Sequence, residues 1–154
     1  MNPEYRRSRL VTPGSIAAAR AAAVLAVFSG SGFGVPCLYG LWYFSSRGQV
    51  WTFLGFPTYG LGPFVDIGID TSVPLLASFL LVCVAEVLAG WWLWRRRRAG
   101  GVLALALLPL ELAFWIGFLL PLGPPVGLAR TVLVLLGWRA LNSSGSALIA
   151  RSAR

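Results

Sequence analysis

The chain has 154 residues, of which 57% are hydrophobic and only 12% are charged. Soluble domains carry about 25% charged residues, so the composition excludes an ordinary soluble domain and indicates a surface that faces lipid. The net charge of +8 comes from thirteen arginines that cluster beside apolar runs. This clustering is typical of the positive-inside pattern and argues against nucleic-acid binding, because basic residues that bind nucleic acid cover a polar face.

The N-terminal region predicts a basic segment followed by a first membrane span. Residues 1–14 are polar and basic, and we expect them to be cytoplasmic. The apolar run after them predicts a span over residues 16–36, or to residue 44 past a kink at Pro36, with Ser15 as its N-cap. A cleaved signal peptide is the alternative, but the run is too long and lacks a small-residue cleavage site.

The first predicted span contains a close-packing motif. Gly30 and Gly34 form a G-x-x-x-G pattern, which allows the backbone of a neighbouring helix to approach closely. We expect this face to pack against another helix of the same chain, with a homodimer interface as the alternative.

Residues 45–72 form the longest predicted connection and are too aromatic for a solvated linker. We expect this segment to lie at the membrane interface or to cover the helix ends. Its charges are Arg47, Asp66 and Asp70, so it belongs to the less basic, outer side.

The second predicted span, residues 73–94, gives the strongest orientation signal. Thr71 or Ser72 can cap its start. It ends in a tryptophan-rich segment directly before the four arginines at 95–98, as expected at a cytoplasmic membrane interface.

Two further spans complete a predicted all-α membrane four-helix bundle within residues 15–142. The third span covers residues 102–120 after a tight turn at 99–101, and Pro109 is expected to kink it. The fourth covers residues 126–141 and is slightly short for a span. Residues 143–154 would form a cytoplasmic tail, which places both termini on the inner side.

Three ionisable residues lie within the apolar runs: Glu86, Glu111 and Arg130. Arg20 lies near the inner end of span one. A charge at the centre of a span costs about 2.5–3.5 kcal/mol on insertion scales, so each one needs a partner or a wet cavity. We expect Glu86 to pair with Arg20 and Glu111 with Arg130, or both glutamates to surround Arg130.

These charges have three possible roles. They can neutralise one another and fix which helix packs against which; they can form a proton relay or a polar pocket for a small ligand or lipid head group; or they can pair with another membrane protein. Direct, dry ion pairs would favour the first role, and a polar cavity would favour the second.

The sequence does not indicate a metal site, a cofactor or a catalytic residue. Histidine is absent, which removes the usual general base and haem ligand. The two cysteines, Cys37 and Cys83, fall at different predicted depths, and no zinc pattern contains them.

The segment Glu86-Val87-Leu88-Ala89-Gly90-Trp91-Trp92-Leu93-Trp94, followed by a basic turn and a span of small residues, resembles the DoxX-like family of four-helix bacterial membrane proteins. The chain is also similar to uncharacterised integral membrane proteins of actinobacteria. The DoxX-like resemblance implies a four-span bundle and an association with oxidoreductases, without any catalytic residue to carry over.

We therefore expect an inner-membrane protein that is not an enzyme and that acts as a structural or accessory subunit. A small transporter or a ligand- or lipid-binding bundle that uses the intramembrane charges is the alternative, and a DoxX-like oxidoreductase-associated subunit is the third. The expected partners are the lipid bilayer and either another membrane protein or a second copy of the chain.

Overall fold

The computed structural model describes residues 12–141, so most of the predicted N-terminal segment and the whole predicted C-terminal tail lie outside the described residues. The described chain is mostly helical. In chain order its elements are α1 (Pro13–Arg47), β1 (Thr52–Phe53), β2 (Phe56–Pro57), α2 (Pro63–Asp66), α3 (Val73–Trp94), α4 (Arg98–Gly117), α5 (Gly123–Gly137) and a 3₁₀ helix (Trp138–Ala140). Helices α1, α3 and α4 are long and apolar enough to cross a membrane.

Helix α1 extends beyond the predicted first span at both ends. The Thr12 side chain accepts a hydrogen bond from the Ser15 N–H at 3.3 Å, so the prediction that Ser15 caps this helix was wrong. Pro13 occupies the first turn, where no N–H partner is needed. The helix continues through Pro36 to Arg47, where a glycine in the left-handed conformation (φ 66°) ends it. Its 35 residues give a length of about 52 Å, which exceeds the hydrocarbon core of about 30 Å.

Helix α3 has the predicted bounds, and the Ser72 hydroxyl accepts a hydrogen bond from the Leu75 N–H at 3.4 Å at its start. Helix α4, in contrast, begins four residues before the predicted position. The chain reverses at Arg96, whose φ is 56°, so the turn is formed by arginines and not by the Ala-Gly-Gly segment that follows. Gly100 and Gly101 therefore lie inside α4.

Helix α4 ends at Gly117, three residues earlier than predicted, and Leu119 (φ 54°) turns the chain towards α5. Helix α5 begins three residues earlier than predicted, because Pro124 and Pro125 fit its first turn instead of forming the preceding loop. With 15 residues, α5 is shorter than a usual span, and the 3₁₀ helix continues it.

Helix α1 packs against both α3 and α5. The face of α1 that carries Gly30 and Gly34 packs against α3. A Cβ atom on Gly30 would be 2.7 Å from the Cys83 carbonyl oxygen of α3. From the other side, a Cβ atom on Gly90 would be 2.9 Å from the Ala23 carbonyl oxygen. This small-residue face is therefore occupied by a helix of the same chain.

The long loop between α1 and α3 folds back against the helices. Tyr59 is only 3% exposed, and its hydroxyl donates a hydrogen bond to the Phe33 carbonyl oxygen of α1 at 2.9 Å. Phe64 packs its ring edge-on against Phe118, with 5.3 Å between ring centroids. These contacts connect the loop to α1 and to the end of α4.

Candidate functional site: a buried charged triad

Glu86, Glu111 and Arg130, here called the triad, come together between three helices. Glu86 lies on α3, Glu111 on α4 and Arg130 on α5, and their exposed fractions are 2%, 1% and 0%. Arg130 follows the first residue of α5 by seven positions, which places it about 10 Å along the helix. It is therefore deeper than the single turn expected from a span that begins at residue 126.

Arg130 is hydrogen-bonded to both glutamates at once. Its Nη1 donates to Oε1 of Glu86 and to Oε1 of Glu111, the latter at 2.9 Å. Its Nη2 donates to Oε2 of Glu111 and, at 3.3 Å, to the Ala104 carbonyl oxygen. Glu111 is thus bound through both oxygens, whereas Arg130 reaches Glu86 through one.

Two buried polar atoms beside these bonds have no hydrogen-bond partner among the described residues. One is the Nε of Arg130, so four of the five guanidinium N–H groups are used. The other is the hydroxyl of Ser29 on α1, which lies beside the Glu86 carboxylate without forming a hydrogen bond of ordinary geometry. Most of the polar atoms in and beside the triad are therefore hydrogen-bonded, but two of them are not.

The triad contains one more acidic than basic group, so its net charge is −1 when all three side chains are ionised. Opposite charges attract strongly in a low-dielectric interior, but each buried ion also loses its hydration. The charge on Arg130 can balance only one carboxylate. Protonation of the other carboxyl group would make the triad neutral.

Arg20 does not join this site. It is exposed, and its guanidinium carbon lies 5.7 Å from the centre of the Trp94 ring. The predicted pairing of Arg20 with Glu86 was therefore wrong. Ala19, Ala22 and Ala23 form the buried face of this part of α1, which directs Arg20 to the outside.

Trp115 of α4 packs against α5, the helix that carries Arg130. Its ring is 2% exposed, and Cβ atoms on Gly123 and Gly127 would overlap it. Gly127 lies three residues before Arg130, so the indole packs on α5 about one helical turn from the backbone of Arg130. The ring therefore packs between α4 and α5 and does not line an open pocket.

The structure adds two groups that sequence reasoning did not place in the site. These groups are the Ser29 hydroxyl on α1 and the Ala104 carbonyl oxygen on α4. A signal for Ser29 was present, because it is a polar residue on the small-residue face that also contains Ala22 and Ala26. No comparable sequence signal exists for a backbone carbonyl.

Cys37 and Cys83 are buried free thiols, and the Cys37 thiol lies 3.5 Å from the Leu76 carbonyl oxygen. Among residues 12–141, no group of three or more potential side-chain ligands could hold a metal ion.

Comparisons of the chain with protein families, with curated proteins and with solved structures find no match. The class of protein is therefore defined by its fold and its site. Over residues 12–141 it is a mostly helical protein with three helices that could cross a membrane and with a buried arginine that bridges two glutamates.

Proposed function

We propose that this protein is a multi-pass protein of the bacterial inner membrane, in which the triad locks three helices together, and that it acts as a structural or accessory subunit. The observation that carries this proposal is direct contact between Arg130 and both carboxylates, with all three residues at most 2% exposed. Such a closed ion-pair cluster specifies packing, whereas a transport site needs access to water.

The proposal includes α5 as a fourth span. Fifteen α-helical residues and three 3₁₀ residues together extend about 28 Å, close to the hydrocarbon thickness of about 30 Å. Arg130 also needs α5 at membrane depth, since its two partners lie within helices that could span. Four spans put both termini on one side, and the arginine clusters favour the cytoplasm for that side.

Membrane insertion and orientation can be tested in one experiment. We expect the protein to stay in the membrane after alkaline carbonate washing. The thiol introduced by Arg97→Cys, in a variant that also carries Cys37→Ser and Cys83→Ser, should react with an impermeant maleimide only in inverted vesicles. Release by carbonate would contradict membrane insertion, and labelling in right-side-out vesicles would contradict the orientation.

A fully uncharged triad tests the structural role. Glu86→Leu/Glu111→Leu/Arg130→Met removes every charge together, and replacement of buried ion pairs by hydrophobic residues of similar volume is often tolerated. We expect this variant to fold and to keep the mass of the wild-type assembly in a mild detergent. If the wild type is recovered only as an isolated monomer, the subunit role is contradicted.

A second candidate function, a proton relay in a small transporter, is favoured by the excess carboxylate and by the unpartnered Ser29 hydroxyl. It predicts that folded Glu111→Gln protein loses pH-dependent flux in proteoliposomes. Full flux in that variant would contradict the relay.

The resemblance to DoxX-like proteins, which implies a link to quinone-dependent oxidoreductases, stays a third prediction. Quinone bound to the protein after gentle extraction would support it, whereas a preparation from quinone-containing membranes without quinone would count against it.

A further inference from the structure

An apolar groove of about 700 Å³ lies on the side of the helix bundle, between α1 and α3. Its walls come from Val24, Val27 and Phe28 of α1 and from Trp91 and Trp94 of α3. Its floor contains residues without bulk: Ala23, Ser31, Gly32 and Gly90. Phe28, Trp91 and Trp94 are all more than half exposed, so the groove opens to the surroundings of the bundle. This volume lies within the range of about 300–1,000 Å³ typical of ligand sites.

One end of the groove is positively charged. The Arg95 guanidinium carbon lies 4.4 Å from the centre of the Trp91 ring, and that of Arg20 lies 5.7 Å from the centre of the Trp94 ring. Both tryptophans line the groove, so the two arginines border the same end. The acidic residues of the described part lie elsewhere, in the triad and in the long loop.

The length of the groove matches one leaflet of a bilayer. From Ala23 to Gly32 it follows α1 for nine residues, or about 14 Å. Half of a hydrocarbon core of about 30 Å is about 15 Å. Arg20 precedes Ala23 by one helical turn, so the charged end would lie at head-group level while the groove extends towards the bilayer midplane.

From this charge complementarity we infer that the groove is a binding site for an anionic phospholipid, with one acyl chain between α1 and α3 and the phosphate at Arg20 and Arg95. The inference rests on the proposed membrane insertion of the protein. The tryptophan rings hold the two arginines at the end of the groove through cation–π contacts. Anionic lipids of the inner leaflet attract such basic groups near a membrane surface.

A larger side chain at Gly32 would fill part of the groove. A Cβ atom at this position would meet nothing within 4 Å, so Gly32→Leu adds volume to the groove without a clash at the backbone. Ala21→Leu is the matched control, because Ala21 is an exposed α1 residue that does not line the groove. Arg20→Gln/Arg95→Gln removes the charged end and leaves the apolar walls in place.

The experiment measures quenching of tryptophan fluorescence by lipids with brominated acyl chains, in mixed micelles of the full chain. Phosphatidylglycerol is compared with phosphatidylcholine at equal mole fractions. We expect the wild type and Ala21→Leu to bind phosphatidylglycerol preferentially. Removal of both arginines should lower this affinity by about fivefold for each arginine, and Gly32→Leu should weaken binding of both lipids.

Equal quenching by the two lipids in the wild type would overturn the inference, as would an unchanged preference in Arg20→Gln/Arg95→Gln. A dimer that Gly32→Leu dissociates would also overturn it, because a second copy of the chain would then occupy the groove. Thermal unfolding of each variant shows that it is folded. The carbonate wash tests the proposed function separately: if the inserted protein shows no lipid preference, only the lipid site fails.

Discussion

Arg130 and Glu111 meet side by side, with each terminal nitrogen of the guanidinium bound to a different oxygen of the carboxylate. This two-bond geometry is the strongest form of an arginine–carboxylate contact, and it requires both side chains to lie in fixed orientations. Since the two residues lie on helices joined by a short turn, the pair determines how α4 and α5 align. Glu86 then connects α3 to the same guanidinium.

Loss of the arginine charge should strongly destabilise the bundle. Arg130→Met leaves two buried carboxylates without a cation, and removal of one partner from a buried ion pair costs about 3–5 kcal/mol. The free energy of unfolding in mixed micelles, followed by tryptophan fluorescence, measures this loss. Arg139→Met is the matched control, because Arg139 is exposed, and should change stability by less than about 0.5 kcal/mol. Equal effects of the two substitutions would contradict the buried role of Arg130.

The two glutamates should differ in their contributions. Glu86→Gln leaves Arg130 paired with Glu111 and brings the net charge of the triad to zero, so the free energy of unfolding should change by less than about 1 kcal/mol. Glu111→Gln removes the charge from the two-bond contact, and we expect it to cost at least about 1.5 kcal/mol more. The same unfolding measurement compares them, and the opposite order would show that Glu86 is the main partner of Arg130.

Two glycines of α1 provide a matched pair for the α1–α3 contact. Gly30→Ala places a methyl group 2.7 Å from the Cys83 carbonyl oxygen, and overpacking of this kind costs about 1–3 kcal/mol. Gly32→Ala meets nothing and should be neutral or stabilising by up to about 1 kcal/mol, because alanine favours a helix. Thermal unfolding of the two variants checks this difference. Similar unfolding temperatures would mean that α1 and α3 are not in close contact at Gly30.

Tyr59 should make the protein sensitive to alkaline pH. Burial raises the pKa of its phenol, and the other titratable groups that influence it are Cys37 and Cys83. The folded state therefore holds the neutral phenol, so this contribution is complete below the ordinary pKa of about 10 and is lost as the pH rises above it. The free energy of unfolding should fall between about pH 9 and about pH 11. The fall should be smaller in Tyr59→Phe, and an identical fall in both proteins would exclude Tyr59 as its cause.

The sequence predicted α3 to the residue, because a hydroxyl cap and the tryptophans before four arginines mark its ends clearly. The predicted starts of the other long helices were wrong, because proline and glycine residues that belong to these helices were assigned to the preceding turns. Pro13, Pro124 and Pro125 lie in first turns, and Gly100 and Gly101 are close-packing residues inside α4. Local composition does not distinguish these roles, since tertiary contacts decide them.

The members of the triad could be found from the sequence, because a charge in an apolar run always needs an explanation. Their pairing could not be fixed, since it depends on how the helices are rotated about their axes. The placement of both glutamates around Arg130 was one of two open alternatives. The orientation of α1 about its axis places Arg20 outside the bundle and Ser29 inside it. This orientation is determined by the packing of all the helices and not by the sequence of α1 alone.

The fit of Trp115 against Gly123 and Gly127 has an evolutionary consequence. Because the indole fills the space that side chains at both positions would need, neither glycine can change alone while the tryptophan is kept. Divergent descendants of this chain should therefore show coupled substitutions, with a smaller residue at position 115 wherever a larger one stands at position 123 or 127.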